Sequence, residues 1–383
     1  MLDRVNPTVR QFKKSGIRKF SEAAQSMPNV VSLTLGEPEF DTDSSIKEAL
    51  QQALKDNLTH YPIGQGRDDL RAAISVYEAA HHQQKYLASE IIVTVGSTQA
   101  LAATFLALLS PGDEVIIPEP MYVSYRPMVE VCQAKLIPLD ITQDNFQINP
   151  EKLEALITEK TKLIVITSPN NPTGVVLNQA SMESIRDVVL KYRLFVISDD
   201  VYHQLVYLES FPRLSDYPEL RAHLIIAQSF SKPYAMTGWR IGYIMADQVI
   251  ANVILTLHAY LVSGIAPFIQ KAAQQALSVD TSWMRENYRQ RRDSSLVQLD
   301  AMNLPYIRPE GAFYIFAKIS EFKMDSETFC LKALNDYGVA IVPGVYFGPS
   351  ADAYIRLSYS VSEADLKEGL IRLGQMIKDL RNA

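Results

Sequence analysis

Six short runs rich in β-branched and aliphatic residues recur along the middle of this chain, at Ile91 to Val95, Glu114 to Pro118, Leu163 to Thr167, Leu194 to Ser198, Leu224 to Gln228 and Arg240 to Met245. Each is bounded by turn-forming residues, the pattern of strands buried on both faces. Between several of them lie amphipathic stretches such as Met182 to Lys191, where Ile185, Val188 and Val189 fall on one face at helical spacing. Strands alternating with helices predict an α/β fold with a mainly parallel central sheet flanked by helices, because a parallel pair needs a crossover and the crossover helix covers the sheet. After about residue 280 the pattern changes to a long charged helix (Trp283 to Met302), a strand near Ala312 to Ala317 and a final helix (Glu363 to Leu380). That tail predicts a smaller α+β domain.

Composition narrows the function. The chain has 383 residues, 47% hydrophobic and 21% charged, enough for a large core and two domains. A formal net charge of -6 argues against nucleic acid, which needs a clustered positive field. The longest apolar run, Ala100 to Leu109, is too short to span a bilayer. Cys132 and Cys330 are far apart and lack the spacing of a metal or redox pair. The expectation is a cytoplasmic enzyme without a metal, a membrane partner or a nucleic-acid partner.

In open α/β sheets ligands bind beyond the carboxyl ends of the strands, so the polar residues that follow the strand runs carry the functional argument. Gly96-Ser97-Thr98 opens a helix and offers free backbone N–H groups to a phosphate, although a Ser or Thr there is also simply an N-cap. No dinucleotide or Walker fingerprint is present. Ser168 to Gly174 fixes a turn that carries Asn170 and Asn171 at the ligand end. Asp199, Asp200 and Tyr202 follow the next strand; a carboxylate there suits a helix cap, a metal or a cationic ring nitrogen. Ser229-Phe230-Ser231-Lys232 follows another, with Arg240 eight residues on. A lysine beside hydroxyls and an arginine suits covalent capture of a carbonyl next to a phosphate, provided its pKa, ordinarily about 10.4, is lowered. Arg356, in the alternating Tyr354 to Ser358, sits either on a solvated strand face or as a fork for a carboxylate.

The order and spacing of SPNNPTG (168 to 174), VISDDVY (196 to 202), SFSKPYAMTGWRIGY (229 to 243) and YIRLSYS (354 to 360) resemble the class I/II aminotransferases, pyridoxal 5'-phosphate (PLP) enzymes of the aspartate-aminotransferase fold. SGIRKFS (15 to 21) and SLTLGEPEFDT (32 to 42) look most like the bacterial aminotransferase A branch, described as N-acetyl-diaminopimelate aminotransferases. The resemblance implies a large PLP-binding domain over residues 45–280 and a small domain built from 1–44 and 281–383. It implies that Lys232 is the Schiff-base lysine and proton shuttle and that Asp199 pairs the pyridine nitrogen. Tyr202 and Asn171 would bond the phenolic oxygen, and Tyr122 would stack on the ring. Gly96, Ser97, Thr98, Ser229 and Arg240 would form the phosphate cup. Arg356, Gly36 and Asn171 would take the substrate α-carboxylate. Tyr61, and more loosely Ser263, would reach the site of a second subunit, which makes the expected enzyme a homodimer with shared sites.

The expected reaction is ping-pong transfer of an amino group between an amino acid and a 2-oxo acid. A β-lyase would use the same residues and stays open at this point, as does a non-catalytic PLP-binding sensor, although such regulators carry a DNA-binding module and no basic helix-turn-helix precedes this pattern. Substrate choice is unread: Arg18 and Arg126 each offer a cation for a distal carboxylate, and Tyr122, Tyr125 and Tyr346 would equally suit an aromatic side chain.

Overall fold

The computed structural model describes residues 1–12 and 16–382 of the chain, so Ser15 of the SGIRKFS segment lies outside the described residues. A seven-stranded sheet dominates. Its order in space is Ile91–Thr94, Gly242–Ala246, Leu224–Ser229, Phe195–Asp199, Thr161–Thr167, Glu114–Glu119, Lys135–Asp140. All neighbours run parallel except Gly242–Ala246, which is antiparallel to both of its partners.

Strand periodicity sorts the core. Ile91, Val93, Ile116, Ile164, Ile166, Val196 and Ile226 join the cluster on one face, while Ile92, Val115, Ile117, Leu163, Val165, Ile197 and Ile225 join that on the other. Because both faces are covered, the strands read as continuous apolar runs, and six of the seven coincide with runs visible in the sequence. The seventh, Lys135–Asp140, lies at the sheet edge and contains Pro138. An edge strand tolerates proline because one row of N–H groups has no ladder partner, and that proline hides the strand from a pattern search.

A third apolar cluster belongs to the chain ends. Here Val342–Pro343, Tyr354–Ser358, Tyr314–Lys318 and Tyr306–Ile307 form an antiparallel sheet, and Val31–Ser32 pairs in parallel with Val339–Ala340. The helices Ser282–Ala301 and Glu363–Asn382 agree with the predicted spans to within two residues. No helix among the described residues is long and apolar enough to cross a membrane.

Candidate active site

A cavity of about 1180 Å³ opens at the carboxyl edge of the large sheet, where the strand ends meet the small antiparallel sheet. Its lining brings together Ser97, Thr98, Tyr122, Asn171, Asp199, Tyr202, Ser229, Lys232, Arg240, Gly36 and Arg356, which are far apart in the sequence.

Asp199 is the last residue of its strand and lies two residues beyond Ile197, so it projects on the same sheet face. There it meets Tyr125, whose hydroxyl donates to Asp199 Oδ2 at 2.7 Å. Asp199 Oδ1 is buried and accepts no hydrogen bond among the described residues. Burial pushes the carboxyl up to about 7, with Asp200 adding to the rise while Tyr125, the Val201 N–H and Lys232 oppose it. A buried acceptor with an open lone pair costs free energy unless a donor reaches it, and a protonated ring nitrogen is such a donor.

Lys232 follows the strand Leu224–Ser229 and donates from Nζ to the Gly36 carbonyl at 2.5 Å. Burial lowers its pKa to about 8; Arg240 and Arg356 add to the lowering, and Glu37 and Asp199 oppose it. A lysine in that range supplies neutral amine near neutral pH. Gly36 is fixed by its neighbour, since a Cβ there would lie 2.6 Å from Tyr314 Oη.

The phosphate end is built from strained backbone. The helix Gly96–Leu108 starts without a side-chain cap, and Ser97 and Thr98 of its first turn line the cavity, at the helix's positive dipole end. Gly96 has φ +69° and a Cβ on it would come within 2.7 Å of Arg240 Nη2, so glycine lets the guanidinium lie against the helix start. Arg240 itself holds a left-handed φ of +53° and is anchored by donation to the Thr237 carbonyl at 2.8 Å. Strain of that kind persists where the surroundings over-determine it, often at functional sites. The Ser231 N–H donates to Ser229 Oγ at 3.0 Å, which closes the turn leading to Lys232.

Arg356 is 2% exposed, which excludes the solvated strand face. Nη1 donates to Asn171 Oδ1 at 3.1 Å and Nη2 to the Thr34 carbonyl, while Nε has no partner among the described residues. The guanidinium packs 4.4 Å from the Tyr314 ring centroid and 5.2 Å from that of Phe347. Tyr202 is buried with its hydroxyl 2.8 Å from the Tyr314 hydroxyl, and the ring of Tyr122 stands edge-on to Tyr125 at 5.5 Å.

Pyridoxal phosphate, the cofactor that the resemblance implies, fits this donor set. The open Asp199 acceptor suits a protonated ring nitrogen, the uncapped helix start with Arg240 suits a phosphate, and Lys232 suits an aldehyde.

Four sequence candidates are not brought to this cavity. Tyr61 is 94% exposed and lies outside the lining. Arg126 sits 3.8 Å from Glu130 on its own helix, and the Tyr346 hydroxyl donates to Glu327 at 2.6 Å while its ring packs on Gly16. Ser263 terminates the helix Gln248–Val262 with φ +55°, also outside the lining. Arg18 does line the cavity. Sequence reasoning missed Tyr314 altogether and saw Tyr125 only as an aromatic, although Tyr125 lies three residues after Tyr122 in the same segment.

The Tyr125 bond yields a test. Its loss leaves buried Asp199 without the donor that favours the carboxylate, worth about 1.5–3 kcal/mol for a bond to a charged group, or about one to two pH units. The acid limb of kcat/KM against pH in Tyr125→Phe is expected to move upward by that amount. An unmoved limb would show that Tyr125 does not set the ionisation of Asp199.

Residues 28–373 match the family model described as aminotransferase class I and II. Over 383 residues, covering 99% of this chain and 97% of the relative, the sequence is 40% identical to a Bacillus subtilis (strain 168) protein named "Probable N-acetyl-LL-diaminopimelate aminotransferase". It is 36% identical to an aspartate aminotransferase of Pyrococcus horikoshii over 96% of this chain and 95% of the relative. Among solved structures, Thermus thermophilus aspartate aminotransferase with maleate superposes with a TM-score of 0.91 at 32% identity, covering 97% of this chain and 99% of that one. The aromatic aminotransferase from Pyrococcus horikoshii OT3 superposes with a TM-score of 0.89 at 35% identity, covering 95% and 100%.

Proposed function

The chain belongs to the class I and II aminotransferases, and from that premise we propose how its cavity divides the work of amino transfer. The protein is a PLP-dependent aminotransferase acting between an amino acid and a 2-oxo acid. When bound, the cofactor supplies an aldehyde carbon that exchanges the amino group and a cationic ring that takes up the electron pair left at the substrate α-carbon.

Lys232 would hold the cofactor's aldehyde end through its lowered-pKa amine and would carry the proton lost from the substrate α-carbon. Asp199 keeps the ring nitrogen protonated. Tyr202 and Asn171 would serve the phenolic oxygen, and Tyr122 would pack on the ring. Gly96, Ser97, Thr98, Ser229 and Arg240 hold the phosphate. Arg356, aimed by Asn171 and Thr34, takes the α-carboxylate with help from Gly36. Fixing that carboxylate fixes which bond at the α-carbon breaks, and so favours proton loss over decarboxylation.

The convergence of Lys232, Asp199, Arg240 and Arg356 on one cavity carries this reading. Elimination finds no support among the relatives, whose names describe amino transfer. The name of the Bacillus relative makes N-acetyl-LL-diaminopimelate a substrate to try early.

We assign residues 45–280 to a cofactor-binding domain and both chain ends to a smaller one. The enzyme works as a homodimer. Support comes from exposed apolar residues on neighbouring segments: Tyr61 (94% exposed) and Ile63 precede Gly64, whose carbonyl lies 3.1 Å from His258 Nε2 on the helix Gln248–Val262, and Val253, Tyr260 and Leu261 of that helix are also exposed. A second copy covering this surface would bring Tyr61, and with it Ser263, to its partner's phosphate cup. The two buried free thiols, Cys132 and Cys330, agree with a cytoplasmic setting.

The test is an absorption spectrum of purified protein during addition of amino donors one at a time. Conversion of the bound cofactor to its aminated form, with one 2-oxo acid released per site, is the expected result. Free pyruvate and ammonia from a β-substituted amino acid would instead identify an eliminating enzyme.

A further inference from the structure

Once the cofactor and the α-carboxylate have engaged Lys232, Asp199, Arg240 and Arg356, two charges on the cavity wall remain uncommitted: Arg18 and Glu22. Both lie on the helix Gly16–Ser26, four residues apart and therefore one turn apart on one face. Arginine and glutamate at that spacing ordinarily pair with each other. Here neither makes a hydrogen bond or ion pair with any described residue, and both line the cavity. Glu37, also on the wall, is engaged by the Thr237 hydroxyl at 2.9 Å. Ile17 and Leu35 add apolar lining, and Leu35 is 43% exposed. The cavity of about 1180 Å³ holds cofactor and substrate together, and Arg18 and Glu22 line the same space as Arg356 and Lys232.

We propose that Arg18 and Glu22 form the side-chain recognition site, and that the substrate is a long-chain amino acid whose far end carries a carboxylate beside an N–H group. The proposal rests on the aminotransferase reading of the cavity, with Arg356 on the α-carboxylate. Arg18 donates its planar fork to the far carboxylate. Glu22, one turn away, accepts from the neighbouring N–H; without that N–H it would repel the carboxylate that Arg18 attracts. The methylene chain lies against Ile17 and Leu35. An aromatic side chain would answer neither charge and so gains nothing from this pair.

Three donors of equal chain length test this: L-2-aminoheptanoate, L-2-aminopimelate and LL-2,6-diaminopimelate, which differ only at the far end. The readout is the apparent dissociation constant of each in the saturable spectral conversion of the holoenzyme. Diaminopimelate is expected to bind about 10- to 100-fold tighter than aminoheptanoate, the range for a hydrogen bond to a charged group, with aminopimelate between them. In Arg18→Met the ranking disappears, and in Arg18→Lys part of it returns. In Glu22→Gln the gap between the two acidic donors closes. Damage to the fold would weaken all three donors alike, so the ratios isolate the recognition role. If all three convert the holoenzyme with equal constants, or Arg18→Met weakens them equally, the far-end proposal is overturned while amino transfer stands. If no donor converts it, the reading of the cavity itself falls.

Discussion

Replacing Lys232 by alanine is expected to lower kcat by about 10⁴-fold or more, because a positioned proton-transfer group alone contributes up to about that factor and the nucleophile is lost with it. Lys232 is the cavity lysine whose amine burial holds at about 8. The sign of its pH dependence follows. Below about 8 the amine is protonated and cannot attack a carbonyl carbon, so capture of PLP by cofactor-free protein should slow as pH falls through about 8 and level off above it. Stopped-flow absorbance follows the capture, and borohydride reduction with peptide mass spectrometry locates it. Wild type should carry the cofactor on the peptide containing Lys232, and the variant should carry none there. A variant that transferred amino groups at near the wild-type rate would remove Lys232 from both roles.

Asp199→Asn should damage chemistry while strengthening the cofactor-free fold. Loss of one preorganised electrostatic partner at a reacting centre costs about 10²–10³-fold in kcat, whereas cofactor affinity is also supplied by the phosphate cup and should fall much less. The stability effect has the opposite sign. Burial raises Asp199 from 3.8 to about 7. Between those values the unfolded chain releases a proton that the fold retains, so the contribution of Asp199 is intact below pH 3.8 and is lost as pH rises toward 7. Three pH units correspond to about 4 kcal/mol. Asparagine avoids that cost but leaves an amide donor unpartnered in the position of Oδ1, at about 1–3 kcal/mol. The net is a cofactor-free variant more stable than wild type by about 1–3 kcal/mol at pH 8, with the sign reversing as pH falls toward 4, where only the cost of the unpartnered amide remains. Urea unfolding of the two proteins across that pH range measures it, and a pH-independent gap would mean that Asp199 is ionised in the cofactor-free fold. Active sites commonly trade stability for function in this way.

Much of this was legible because α/β architecture ties function to local sequence. Asn171, Asp199, Ser229 and Lys232 stand at or just beyond the ends of strands that announce themselves as apolar runs, so the rule that ligands bind at the carboxyl edge reached them without coordinates. Arg356 was visible as a polar residue in an alternating strand, but whether its face met solvent or the cavity depended on the strand Tyr314–Lys318 pairing with it and on Asn171 arriving from the turn after the strand Thr161–Thr167. The strand Lys135–Asp140 stayed hidden behind Pro138. The antiparallel sense of Gly242–Ala246 was equally unreadable, because side-chain alternation is the same in either direction.

The sequence by itself determined the fold class, the family and most of the polar residues that line the cavity, since those depend on burial pattern and on motifs held within a few residues of a strand end. The tertiary structure decided which groups face one another. The Tyr125 hydroxyl finds Asp199 across 74 residues and the Tyr202 hydroxyl finds Tyr314 across 112, and no local pattern records such pairings. The same holds for the two candidate arginines: Arg18 lines the cavity and Arg126 sits beside Glu130 outside it, because the direction a helix face takes is set by what packs against the opposite face rather than by the residues that the face presents.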